Sequence, residues 1–243
     1  NASSHNNNGE SIVNWAWNAG DTDGKTYTVT VVSDSGNKYR FDGFGTSAVT
    51  LDLAEGGTYI FNYPSAHPFK FSTTADGTHG GGSEYTTGVT HNSSTQVTIV
   101  VAASAPTLYY YCGSHSGMGG QVNTNSTLGS SNFAGSIQST VKVNASAGFS
   151  VTTYSGTDTG SSQTIGHGLG VAPKVWIFKN RSSAANWIVY TTAIDGGSDY
   201  LTLNSSNASA SGVSPWDTAP TSSVITVGTN NVDTCNAGDN YVL

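Results

Sequence analysis

Residues 112–118 read Cys112-Gly113-Ser114-His115-Ser116-Gly117-Met118, a Cys-x-x-His-x-x-Met run. The run holds one of only two cysteines in the 243-residue chain, one of six histidines and the single methionine. A thiolate, an imidazole and a thioether are soft or borderline ligands, and together they select copper over the hard cations. A site of this kind needs a second imidazole from elsewhere. His67 suits the role, because Pro64 stops one strand-like run before it and Pro68 follows it directly. His79, in a Gly-rich loop, and His91, beside Asn92-Ser93-Ser94, are less constrained, and with Asp76 or Glu84 they follow no metal-binding spacing. Taken singly, a Cys at a strand end or a lone Met is ordinarily core packing, and a lone loop His is ordinarily solvated. Their concentration in one stretch of a chain with a single Met is what marks them out.

The elements that must hold these residues are strands. Tyr27, Val29 and Val31 alternate with Thr28 and Thr30, Asp34-Ser35-Gly36-Asn37 supplies turn chemistry, and Lys38-Tyr39-Arg40-Phe41 returns, which predicts a hairpin. Further strands are expected at 49–53, 58–63, 67–71, 96–102 and 107–112, with a Gly-rich loop at 76–82. Leu108, Tyr110 and Cys112 then share one strand face, and His115 and Met118 follow in a Gly/Ser loop that can fold tightly. Short strands about ten residues apart, without an amphipathic helix, indicate a β-sandwich. Residues 123–131 are rich in Gly, Ser, Thr and Asn and are the expected linker. Beyond it, strands are expected at 135–143, 148–154, 174–179, 186–190, 200–203, 223–227 and 240–243. The chain is therefore expected to be all-β, with an N-terminal arm over 1–24, a first β-sandwich over 25–122, the linker over 123–131 and a second β-sandwich over 132–243. In the arm, Trp15 and Trp17 would point to one face of a short strand at 11–17.

Composition excludes several classes of function. Lys and Arg number 8 against 15 Asp and Glu, a net charge of −7, and no basic stripe is present to meet nucleic acid. No segment approaches the roughly 20 apolar residues of a membrane helix. Two cysteines make no disulfide framework, and a Cys112–Cys235 pair would have to cross the expected linker. No nucleophile elbow, P-loop, zinc finger or dinucleotide fingerprint occurs, and Asp195, Asp199 and Asp217 form no acid/base pair. His167, between two glycines, reads as a turn residue bonding the backbone. The start at Asn1-Ala2-Ser3-Ser4, with no initiator Met, is expected to be the processed part of a longer chain.

Residues 25–122 resemble a small cupredoxin with a short ligand loop. The matching residues are His67 in Ser65-Ala66-His67-Pro68-Phe69, and Cys112, His115 and Met118 in the run above. The resemblance implies a Greek-key sandwich in which Cys112, His67 and His115 hold copper and Met118 is the weak axial ligand. The chain from Ser146 onwards is similar to a β-rich domain of marine bacteriophage virion proteins. That likeness rests on Ala147-Gly148-Phe149-Ser150, Thr153-Tyr154, residues 165–174, Asn186-Trp187-Ile188-Val189-Tyr190, Trp216 and Thr218-Ala219-Pro220-Thr221-Ser222-Ser223. Ile12-Val13-Asn14-Trp15-Ala16-Trp17 is similar to the closing strand of such a domain. Together these imply a non-enzymatic virion structural protein, fibre or tail-associated and extracellular, with a copper module inserted between repeats. The partners implied are further copies of the chain (a homotrimer by analogy), other virion proteins and a host receptor or glycan, without membrane insertion. The alternative is a secreted or periplasmic electron-transfer cupredoxin fused to a β domain. A copper oxidase is disfavoured, because the chain has no multicopper His-x-His pair.

Overall fold

A computed structural model describes residues 16, 20, 24–124, 129–157, 159–194, 199–210, 218–228 and 231–243. The expected strand at 11–17, with Trp15 and Trp17, lies outside the described residues apart from Ala16, and so do Asp195, Trp216 and Asp217. The described chain is all-β and forms two sandwiches in sequence. Among the described residues, no helix is long and apolar enough to cross a membrane.

The first module contains β1 (Gly24–Ser33), β2 (Asn37–Phe41), β3 (Leu51–Asp52), β4 (Thr58–Asn62), β5 (Phe69–Ser72), β6 (Val89–Ser93), β7 (Gln96–Val100), β8 (Leu108–Cys112) and β9 (Gly120–Asn123). One sheet runs β2-β1-β4-β7-β6 and the facing sheet β3-β9-β8-β5. β1 pairs with β4 and β3 with β9 in parallel, and the remaining pairs are antiparallel. Period-2 alternation decides which residues fill the space between the sheets: Tyr27 and Val29 of β1 are buried while Thr28 and Thr30 are exposed. The filling is aromatic. Phe61 of β4 stacks on Phe69 of β5 across the two sheets, ring centroids 4.8 Å apart, and Phe41 of β2 meets Tyr110 of β8 edge-on at 5.1 Å.

The second module contains β10 (Ser130–Asn132), β11 (Ser139–Asn144), β12 (Phe149–Ser155), β13 (Gln163–Gly166), β14 (Val175–Asn180), β15 (Trp187–Thr191), β16 (Leu201–Thr202), β17 (Val224–Val227) and β18 (Asn240–Val242). A seven-stranded sheet, β10-β11-β12-β18-β14-β15-β16, accompanies the two-stranded β13-β17 pair. Ile165 of β13, Ile225 of β17, Phe178 of β14 and Tyr241 of β18 share its core.

Three local differences from the expected pattern have physical reasons. β6 carries exposed residues at nearly every position, so it has no alternation to betray it. The 76–82 loop contains a 3-10 turn over Gly77–Gly80. The polar 123–131 stretch is not an open tether in its described part: Asn123 closes β9, Ser130 and Ser131 belong to β10, and Thr124, Ser130 and Ser131 are buried. Tyr27 Oη and Lys25 Nζ donate to the Ser131 carbonyl at 2.8 and 3.2 Å, the Ser131 hydroxyl accepts from Asp52 N at 2.8 Å, and Tyr59 Oη lies 2.9 Å from Ser130 Oγ. Phe133, just past β10, inserts into the first module's core and stacks on Phe41 with centroids 5.6 Å apart. Small hydroxyl residues here pair with buried polar groups of the neighbouring sheets, which satisfies both sides.

Candidate metal centre

Chain direction and strand register bring the ligand-bearing segments together. A turn closed by His67 N donating to the Pro64 carbonyl at 2.9 Å sets His67 just ahead of β5. β5 pairs antiparallel with β8 so that Phe69 faces Cys112, and Gly113 N donates to the Pro68 carbonyl at 2.8 Å. The start of β5 and the end of β8 therefore meet at one end of the sandwich. The 113–119 loop can return from there because Gly117 takes φ +70° and because Gly119 has no Cβ, which would sit 1.7 Å from the Tyr110 carbonyl oxygen.

At that end the ligand atoms of His67, Cys112 and His115 all lie within 4.8 Å of one another. Cys112 Sγ is 3.5 Å from His115 Nδ1 and 3.9 Å from His67 Nδ1, and the two imidazole rings have centroids 4.7 Å apart. Metal–sulfur and metal–nitrogen bonds of about 2.3 and 2.05 Å, opened to roughly 110–130°, give sulfur–nitrogen separations of about 3.6–3.9 Å. The observed spacings sit at that range, so the three residues can hold one metal ion. A thiol–imidazole hydrogen bond would also suit 3.5 Å, but one S–H can serve only one of the two rings. Cys112 is fully buried, His67 half-buried and His115 exposed, so the group spans from the core to the surface. Met118, the fourth expected ligand, is fully buried in the same aromatic core as Cys112.

Several neighbours brace this arrangement, and the sequence did not single them out for that role. Asp76 Oδ1 accepts from Gly117 N at 2.8 Å, Lys38 Nζ donates to the Gly117 carbonyl, and Tyr39 N donates to the Met118 carbonyl at 3.0 Å. His79 Nε2 lies 3.0 Å from the Cys112 carbonyl oxygen. His91 pairs instead with Glu84 at 2.7 Å, and Lys70 reaches the other Glu84 oxygen at 2.5 Å. Burial opposes ionisation of Glu84, but the hydrogen bonds from Lys70 and His91 outweigh it and hold the carboxyl below its usual range. His79, His91, Asp76 and Glu84 thus form no second centre, and among the described residues no other group of three His, Cys, Asp or Glu side chains converges. A loop aspartate and a hairpin tyrosine carry no mark in a single sequence, because turn and core roles account for them equally well.

The other cysteine, Cys235, is buried in the second module's core, and neither cysteine is in a disulfide. His167 is buried too, with Nε2 3.2 Å from the Thr221 carbonyl oxygen and Nδ1 accepting from Leu169 N at 3.2 Å, so it bonds the backbone as the sequence suggests.

No curated protein and no solved structure matches the chain. A family model does, over a stretch that begins inside β9, after all four expected ligands. It covers residues 122–243, just over half of the 243-residue chain, and on that match the protein belongs to the family described as Domain of unknown function (DUF7483).

Proposed function

We propose that this chain is a non-enzymatic virion structural protein, fibre or tail-associated, whose first module binds one copper ion through Cys112, His67 and His115 with Met118 as a weak fourth ligand. The observation that carries the metal reading is the convergence of one buried sulfur and two imidazole nitrogens at spacings that suit a single ion. Thiolate and thioether softness favours copper within that reading. Copper held there would tie the 113–119 loop to the entry of β5 and, by binding only the folded state, would add stability by mass action. The virion assignment rests on the resemblance of the second module and on the low charge of the chain. The packed junction at Ser130, Ser131 and Phe133 suits a rigid structural chain better than a tethered carrier.

The full chain titrated with Cu(II) should develop an intense visible thiolate-to-copper absorption and should melt at a higher temperature. Cys112→Ser should show neither. Absence of the absorption in the parent would overturn the copper reading. Recovery of the chain in purified phage particles would support the structural role, and its absence from them would count against it.

One observation favours a second reading, as an electron carrier. His115 is exposed while its nitrogen faces the buried Cys112 sulfur, which offers a route from surface to metal. Rapid electron exchange of the loaded protein with a small redox protein would move the assignment that way.

A further inference from the structure

Tyr39 is fully buried in β2, among Phe41, Phe69 and Tyr110, where a phenylalanine would fill the same space. A buried phenol needs a reason for its hydroxyl, because an unpartnered one costs about 1–3 kcal/mol. Here the hydroxyl donates to the main-chain carbonyl of His67 at 2.8 Å. The same residue's N–H donates to the Met118 carbonyl at 3.0 Å. One residue of a strand that carries no ligand therefore bonds the main chain of two of the four ligand-bearing positions, His67 and Met118. Lys38, the residue before it, holds the Gly117 carbonyl of the same loop.

We infer that Tyr39 is the positioning residue of the metal centre, fixing His67 through its carbonyl and Met118 through its main chain. The inference rests on the copper reading above. A phenol has one proton to give. That proton goes to the His67 carbonyl. The axial ligand tunes the redox potential of such a copper centre, and Tyr39 holds the main chain of Met118. Tyr39 thus sets where His67 and Met118 stand. Partners beyond the direct ligands commonly govern metal affinity by about 10–100-fold.

The test uses the full chain, its Tyr39→Phe variant and a Tyr110→Phe control. Tyr110 lies in the same core, but its hydroxyl donates to the Val49 carbonyl at 2.7 Å, away from the ligands. Tyr39→Phe should remain folded by circular dichroism. It should bind Cu(II) about tenfold or more weakly, with a shifted visible maximum and a changed reduction potential. Tyr110→Phe should lower the melting temperature while leaving the absorption and the potential in place. A Tyr39→Phe protein with the parent's spectrum, affinity and potential would overturn the inference while the copper reading stands. So would equal spectral changes in both variants, since these would reflect only a loosened core. A parent with no thiolate-to-copper absorption would overturn both readings together. Should Tyr39→Phe fail to fold, Tyr39→Met in the same assay, with its unfolded fraction measured, is expected to bind weakly and shift the band. A parent-like band in its folded fraction would overturn the inference.

Discussion

Each module has a buried cysteine and at least one inward-turned histidine, yet the two modules use them in opposite ways. In the first, the Cys112 sulfur has His115 and His67 nitrogens at 3.5 and 3.9 Å, so side chains with metal-binding atoms face one another. In the second, the Cys235 thiol donates to the Thr157 carbonyl at 3.5 Å, and His167 divides its two nitrogens between the Thr221 carbonyl and the Leu169 N–H. Both cysteines are fully buried, and residue type does not separate the two cases. The partner does: main-chain groups consume the hydrogen-bonding capacity of Cys235 and His167, whereas a strand end followed by a tight Gly-rich loop leaves Cys112 and His115 facing His67. A ligand set arises where the main chain turns away from the side chains.

The largest way to break that contrast is to exchange the cysteines for serine one at a time. Cys112→Ser should abolish copper uptake. Cys235→Ser should leave the absorption unchanged and cost about 1–3 kcal/mol of stability, as a mismatched polar group in a core does. Spectroscopic titration and thermal unfolding of both variants check this, and loss of the absorption in Cys235→Ser would erase the distinction. Next comes the seam between the modules. Phe133→Ala removes a ring that the second module's N-terminal edge contributes to the first module's core, packed on Tyr27, Phe41 and Phe44. The expected loss is about 3–5 kcal/mol, felt by the first module, which should then melt at a lower temperature than in the parent. A change under about 1 kcal/mol would mean that the modules are energetically separate despite the contact.

The sequence made the contrast legible in part. The hairpin of β1 and β2 and the strands β4, β7, β14, β15 and β17 follow from alternation that survives because one face is buried, whereas β8, buried at Tyr110, Tyr111 and Cys112 alike, is marked by its aromatic run. His67, Cys112 and His115 could be picked because chemistry restricts which residues bind soft metals, and spacing restricts where. Other features had no local mark. β6 is exposed on both faces, and β10 is three polar residues whose burial depends on Lys25, Tyr27, Asp52 and Tyr59, all more than 70 residues away in sequence. Tyr39 and Asp76 act on the ligand loop from 79 and 41 residues before Met118 and Gly117, respectively, and a period-2 pattern assigns them only to core and turn. Long-range pairing is what a single sequence conceals.

The smallest effect concerns protons, and it tests whether His167 is as fully satisfied as the contrast requires. In the neutral ring Nε2–H donates to Thr221 and Nδ1 accepts from Leu169, so both nitrogens are in use. A second proton on Nδ1 would destroy the Leu169 bond. Burial pulls the His167 pKa below its ordinary 6.5, against the opposing pull of the Thr221 hydrogen bond. As pH falls through 6.5 the unfolded chain takes up this proton before the folded chain does. Stability from this residue is therefore complete above that value and is lost as pH drops toward the lower folded-state pKa. Asp239 keeps out of the window, because hydrogen bonds from Asn180 and Asn236 hold it below its usual 3.8. Melting of the second module should thus weaken between pH 7.5 and 5.5 in the parent. In His167→Gln it should start lower and change less with pH. An undiminished slope in the variant would mean that His167 is not held neutral by its surroundings, and the second module would then contain an imidazole as available for chemistry as those of the first.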